Sequence, residues 1–171
     1  MKPHISFPTL RAAVGHRVRH NEYSMGEIQV GDQTIRFDQT LTRTAYKAVP
    51  CGDTERCGCS YCLNFAAQRS SAYPSPFRSI LEKIGIDPDK EGEVYELGPE
   101  GDSRIFGGWF YFAGEVTEAG ERNSTLANFE YWFANGRGLP KPVADFGEHV
   151  AAVEFITRLP WVLPYPPEQL P

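Results

Sequence analysis

Every cysteine in the chain lies between residues 51 and 62, in the spacing C-x5-C-x-C-x2-C. Thiolates hold zinc at about 2.3 Å in a tetrahedron, so sulfurs that share an ion must converge on one point. A Cys59-x2-Cys62 pair achieves this when it opens a helix, because the first backbone amides then point at the sulfurs and soften their charge. Gly52 and Gly58 give the chain the freedom to fold back, so that Cys51 and Cys57 complete the set. The expected cofactor is a structural zinc ion on Cys51, Cys57, Cys59 and Cys62. Four thiolates on one divalent ion leave a negative site, and Arg56, Arg69 and Lys47 are the cations nearest in sequence.

The Cys57-Gly58-Cys59 step carries a condition. An extended chain sends alternate side chains to opposite faces, so a shared site needs a turn at Gly58. No second C-x2-C pair follows, unlike ordinary zinc ribbons and fingers, so a three-cysteine site completed by His4, His16, His20 or His149 is a variant of the same reading. Two other readings fit these residues. Cys59 and Cys62 form a candidate redox dithiol, since a helix N-terminus favours the thiolate, although the βαβ surroundings of a thioredoxin are absent. Buried cysteines also serve simply as small apolar residues.

The remaining sequence predicts an α+β protein: a mostly antiparallel β-sheet or sandwich with a short helical pair inserted after the cysteine-rich loop. Gly and Pro number 16 and 14 in 171 residues, which implies many turns and short strands. Ile28 and Val30, then Ile35 and Phe37, alternate with polar neighbours around Gly31-Asp32, the pattern of a hairpin. Leu41 to Val49 reads as a further extended stretch stopped by Pro50. Leu63 to Arg69 reads as a short helix. Phe77, Ile80, Leu81 and Ile84 form an apolar stripe behind Ser75-Pro76, with Gly85 as the C-terminal stop. From Glu93 onward the pattern is β: Val94 to Leu97, Gly107 to Val116, Phe129 to Phe133, and a last strand ending at Pro160. Phe110 and Phe112 alternate with Trp109 and Tyr111, so both faces of that strand are expected to be covered.

Residues 1–20 read as a loosely tethered arm, residues 21–160 as a single β-rich domain with helices at about 60–85, and 161–171 as an extended Pro-rich tail. The arm lacks the apolar run of a secretory signal. A cytoplasmic location, where disulfides seldom persist, is therefore expected. The longest aliphatic and aromatic run, Trp109 to Ala113, is far too short to span a membrane. With 17 basic and 22 acidic residues the net charge is −5, which argues against a nucleic-acid partner.

Other motifs are weaker. Asp87 to Gly92 imitates the start of a calcium loop, but Gly98 stands where the closing glutamate belongs, so it reads as a charged turn. Asp145, Glu148 and His149 make a small acid–imidazole cluster whose catalytic use needs a distant group such as Glu115 or Glu130. Trp109, Tyr111, Tyr131 and Trp132 are candidates either for the core or for an aromatic face that takes a protein or small ligand.

The strings CGCSYCLNF, SPFRSILEKIGIDPDKEGEVYE, GGWFYFAGEV and EFITRLPWVL together resemble a family of uncharacterised bacterial proteins, over about residues 25–165. The core of that resemblance is Cys57, Cys59 and Cys62 followed by Asn64-Phe65, with Cys51 a less regular feature. It implies a compact stand-alone domain and brings no activity with it. The expected function is a zinc-stabilised binding or structural domain of unknown partner. The alternatives are a thiol oxidoreductase using Cys59 and Cys62, or a hydrolase using Asp145, Glu148 and His149.

Overall fold

A computed structural model describes residues 25–118 and 124–167. The expected N-terminal arm, with His4, His16 and His20, lies outside the described residues, as do residues 168–171.

Strand β4 (Ser103–Glu118) organises the molecule. Its residues Phe106 to Gly114 are all buried, so it is covered on both faces. Along one edge it pairs with β7 (Val150–Pro160), from Ser103 opposite Pro160 to Ala113 opposite Val150. Its other edge is shared by two strands. β3 (Glu93–Glu100) occupies the first half, and β2 (Gln33–Phe37) takes the residues from Gly114 onward. β1 (Gly26–Val30) forms the expected hairpin with β2, joined through Gly31-Asp32. β6 (Phe129–Asn135) and β5 (Ser124–Leu126) extend the sheet beyond β7. The seven strands among the described residues all pair antiparallel, and the fold is α+β and β-rich.

Between β3 and β2 the edge of β4 has no strand partner, and a helix fills the break. This helix, α1 (Gln39–Ala48), replaces the extended stretch expected over Leu41 to Val49. Asp38 caps it by accepting the Leu41 amide at 2.8 Å. Thr42, Ala45, Tyr46 and Val49 are buried at helical spacing. The Thr42 hydroxyl donates to Asp38 O at 2.8 Å and accepts the Ala113 amide at 3.1 Å. The Tyr46 hydroxyl donates to Tyr111 O at 2.8 Å. The β-branched threonines favour a strand locally, and these contacts with β4 override that preference.

Three more helices follow. α2 (Asp53–Cys57) lies inside the cysteine loop, where no helix was expected. α3 (Ser60–Ala72) extends beyond the expected Leu63 to Arg69 at both ends. α4 (Ser75–Ile84) is as expected, and the amides of Gly85 and Ile86 both bond to Leu81 O at 2.9 Å to close its last turn. Phe65 of α3, Tyr73 and Phe77 of α4 pack on Phe106, Phe110, Phe129 and Phe155 of the sheet. At the alternate positions of β4, Trp109 meets Tyr95 and Tyr111 meets Phe146.

Asn64 fastens the end of the sheet to α3. It is 0% exposed, its Nδ2 donates to Pro160 O at 3.1 Å, and its Oδ1 accepts the Val162 amide at 2.8 Å. The chain beyond β7 therefore bends back instead of running out extended, with Trp161 edge-on to Tyr61 and its Nε1 donating to Tyr165 O. Asn64→Ala is expected to lower the unfolding free energy by about 1–3 kcal/mol, because the two part-buried hydrogen bonds that tie α3 to Pro160 O and the Val162 amide are lost together. A shift of the urea midpoint at unchanged slope checks it.

Candidate metal centre

The sulfurs of Cys57, Cys59 and Cys62 all lie within 4.8 Å of one another. Two helix ends bring them there. Cys57 closes α2, Cys59 is the N-terminal cap of α3, and Cys62 sits in the first turn of α3. The turn required between Cys57 and Cys59 is present. Gly58 adopts the left-handed conformation with φ 64°, and its amide bonds back to Thr54 O at 3.2 Å. No atom lies within 4 Å of where a Cβ on Gly58 would stand, so glycine is favoured there by backbone conformation and not by space.

Cys51 stands outside this group. Gly52 does not fold the chain back; it is extended and caps α2, whose five residues place roughly 7.5 Å of helical rise between it and the Cys57 end. Asp53 holds that helix in place. Its amide donates to Glu91 O at 3.1 Å, and its carboxylate accepts the Val94 amide at 3.1 Å. His149 is also remote. Phe106 lines the cavity beside the sulfurs, whereas His149 precedes Val150, the partner of Ala113, about 23 Å farther along the sheet.

The three thiols differ in setting. Cys57 is exposed, Cys59 half-buried and Cys62 buried, and no disulfide joins them. The Cys57 thiol is held below its ordinary range, chiefly by the Cys59 backbone amide and then by the neighbouring thiols. Burial pushes the Cys62 thiol up, and the two other sulfurs push it further. Sulfurs crowded in this way resist joint ionisation unless a cation sits among them. Their closeness lets all three reach a single ion. A cavity of about 190 Å³ adjoins the sulfurs, lined also by Tyr61, Tyr95 and Glu96. Glu96 takes Arg104 at 2.7 Å, and the Arg104 guanidinium lies 5.4 Å from the centre of the Tyr61 ring.

Two of the cations expected to balance the thiolates are engaged by carboxylates. Arg56 pairs with Asp53 at 2.8 Å, and Lys47 is exposed on α1. Arg69 belongs to a buried network that sequence reasoning missed. Its guanidinium donates to Glu91 at 2.7 and 3.1 Å, to Glu55 at 2.6 and 3.0 Å, and to the Thr54 hydroxyl. The Tyr73 hydroxyl donates to Glu91 at 2.8 Å. Glu91, read in sequence as part of a charged turn, is only 2% exposed. Burial raises its carboxyl above the ordinary range although Arg69 opposes the shift, whereas Arg69 holds the Glu55 carboxyl below it.

Asp145, Glu148 and His149 are all exposed, and the Asp145 carboxylate accepts the Gly147 amide at 2.8 Å, which shapes a turn. Of the candidate aromatic face, Trp109, Tyr111 and Tyr131 are buried in the core and Trp132 is half-buried. No helix among the described residues is long and apolar enough to cross a membrane. Comparison with protein-family models, with curated proteins and with solved structures returns no match. The chemistry is therefore carried by the residues alone.

Proposed function

We propose that Cys57, Cys59 and Cys62 hold one zinc ion, and that the protein is a small metal-stabilised binding or structural domain of a reducing compartment such as the cytoplasm. The convergence of three sulfurs within 4.8 Å supports this reading. The ion would fasten the turn between α2 and α3 beside β3, and the adjoining cavity leaves room for a water or outside donor as fourth ligand. Protein purified without added metal is expected to carry about one zinc per chain. Cys57→Ser, Cys59→Ser and Cys62→Ser should each lose it, whereas Cys51→Ser should retain it. Chelation should lower the melting temperature, and more readily at acid pH, where protons compete for the thiolates. Zinc at about a tenth of stoichiometry or less, with an unchanged melting curve, overturns the proposal.

One observation favours a second reading, thiol–disulfide exchange. Cys57 is exposed and its thiol is shifted towards the thiolate. In that case Cys57, not Cys59, is the sulfur that iodoacetamide alkylates below neutral pH in metal-free and metal-treated protein alike. A zinc site resists alkylation until a chelator is added.

A further inference from the structure

A second cavity, of about 200 Å³, opens among α1, α2, the start of β3 and the loop that follows β6. Its apolar walls are the rings of Tyr46, Tyr111 and Phe146, with Phe146 5.4 Å from Tyr46 and 6.2 Å from Tyr111 between ring centres. Tyr111 is fixed by donating its hydroxyl proton to Pro140 O at 2.6 Å. Gly92 also lines the cavity, and a Cβ there would stand 2.7 Å from the Tyr111 ring and 2.9 Å from Trp109 Nε1, so the backbone lies directly against the aromatic layer.

Charged groups surround this space, and most are matched within the protein. Arg56 pairs with Asp53 at 2.8 Å. Lys90 donates to Tyr46 O at 2.9 Å and lies 3.6 Å from Asp87. Glu91 is held by Arg69. Two lining groups are left over, Glu93 and Lys141, neither of which makes an ion pair or side-chain hydrogen bond among the described residues. They carry opposite charges. Glu93 is half-buried, and its carboxyl is raised by burial and by the nearby Asp53, with the Arg56 guanidinium, bonded to Gly92 O at 3.4 Å, only partly opposing the shift. A carboxylate kept partly from water, whose nearest cation is already paired with Asp53, is a ready acceptor for an ammonium.

We propose that this cavity binds a small amphipathic zwitterion, a free amino acid with an apolar side chain, whose ammonium meets Glu93, whose carboxylate meets Lys141, and whose side chain lies against Tyr46, Tyr111 and Phe146. The residual charges select against simpler ligands. A plain cation is opposed by Lys141, and a plain anion by Glu93. Size points the same way, because the space is smaller than the roughly 300–1,000 Å³ of drug-sized pockets.

The test is a thermal-shift screen of the intact protein with the standard amino acids at about 10 mM, followed by calorimetry on any that bind. At least one apolar amino acid is expected to bind. Its decarboxylated amine, its deaminated acid, and the variants Glu93→Gln and Lys141→Met should each weaken binding about tenfold or more. Neither side chain has a hydrogen bond or ion pair to lose, and at Glu93 the attraction of Arg56 is offset by the repulsion of Asp53, so both variants should melt close to the parent. The proposal is overturned if no apolar amino acid binds, if the amine alone binds as tightly as the amino acid, or if both variants bind unchanged.

Discussion

Arg69→Met is expected to lower the unfolding free energy by about 3–5 kcal/mol, which is roughly 6–20 °C of melting temperature for a chain of this size. The substitution keeps most of the aliphatic stem but removes the guanidinium that joins Glu91 to Glu55 and Thr54. Glu91 is then a buried carboxylate whose remaining side-chain partner is the Tyr73 hydroxyl. Removing one partner of a buried pair costs far more than the pair contributes net, because the remaining charge is stranded. The loss should depend on pH with a definite sign. In the native protein burial already raises the Glu91 carboxyl and Arg69 restrains the rise, so the variant raises it further. A group whose folded-state value lies above its unfolded value favours folding below the unfolded value and loses that contribution as pH climbs through the folded one. The deficit of the variant should thus be smaller near pH 5 than near pH 8, as read from chemical denaturation at both. Glu91→Gln, which leaves no charge stranded on the acid side, should narrow that pH dependence when combined with Arg69→Met. A deficit that does not change with pH would show that the arginine acts through packing alone.

Phe77→Ala should cost about 3–5 kcal/mol by the separate route of an unfilled core cavity. Phe77 is 0% exposed, and its ring centre lies 4.7 Å from Phe129, 4.9 Å from Tyr131 and 5.8 Å from Tyr73. Through these rings α4 reaches β6. Phe77→Leu refills much of the volume and should recover about half of the loss. Equilibrium unfolding of the two variants checks the ranking, and equal destabilisation by both would show that ring contacts outweigh filled volume.

Elements that announce themselves locally were legible in the sequence. The β1–β2 hairpin follows from alternation around Gly31-Asp32, and α4 from one apolar stripe bounded by Pro76 and Gly85. The paired rows of aromatics in β4 implied cover on both faces, which the structure has. α1 was misread because its threonines favour strands in isolation. The signals that identify it are Asp38 as cap and the spacing of Thr42, Ala45, Tyr46 and Val49, and its hydrogen bonds run to a strand some seventy residues later. The candidate site was legible in its core. Cys57, Cys59 and Cys62 converge once Gly58 turns. Cys51 was grouped with them on nearness along the chain, and the short helix that holds it apart has too few residues to show an apolar period. The Arg69 network was invisible for a related reason, since Glu55, Arg69 and Glu91 become neighbours only when three segments pack together.

The split edge of β4 has a consequence for synthesis. β1, β2 and all four helices are complete by Ile84, yet the strand on which β2 and α1 dock begins at Ser103, and its partner β7 ends only at Pro160. At translation rates of roughly 5–20 residues per second, about 4–15 s separate the emergence of Ile84 from that of Pro160. Throughout that interval the nascent chain presents the unsheltered phenylalanines of α3 and α4, a natural target for ribosome-associated chaperones.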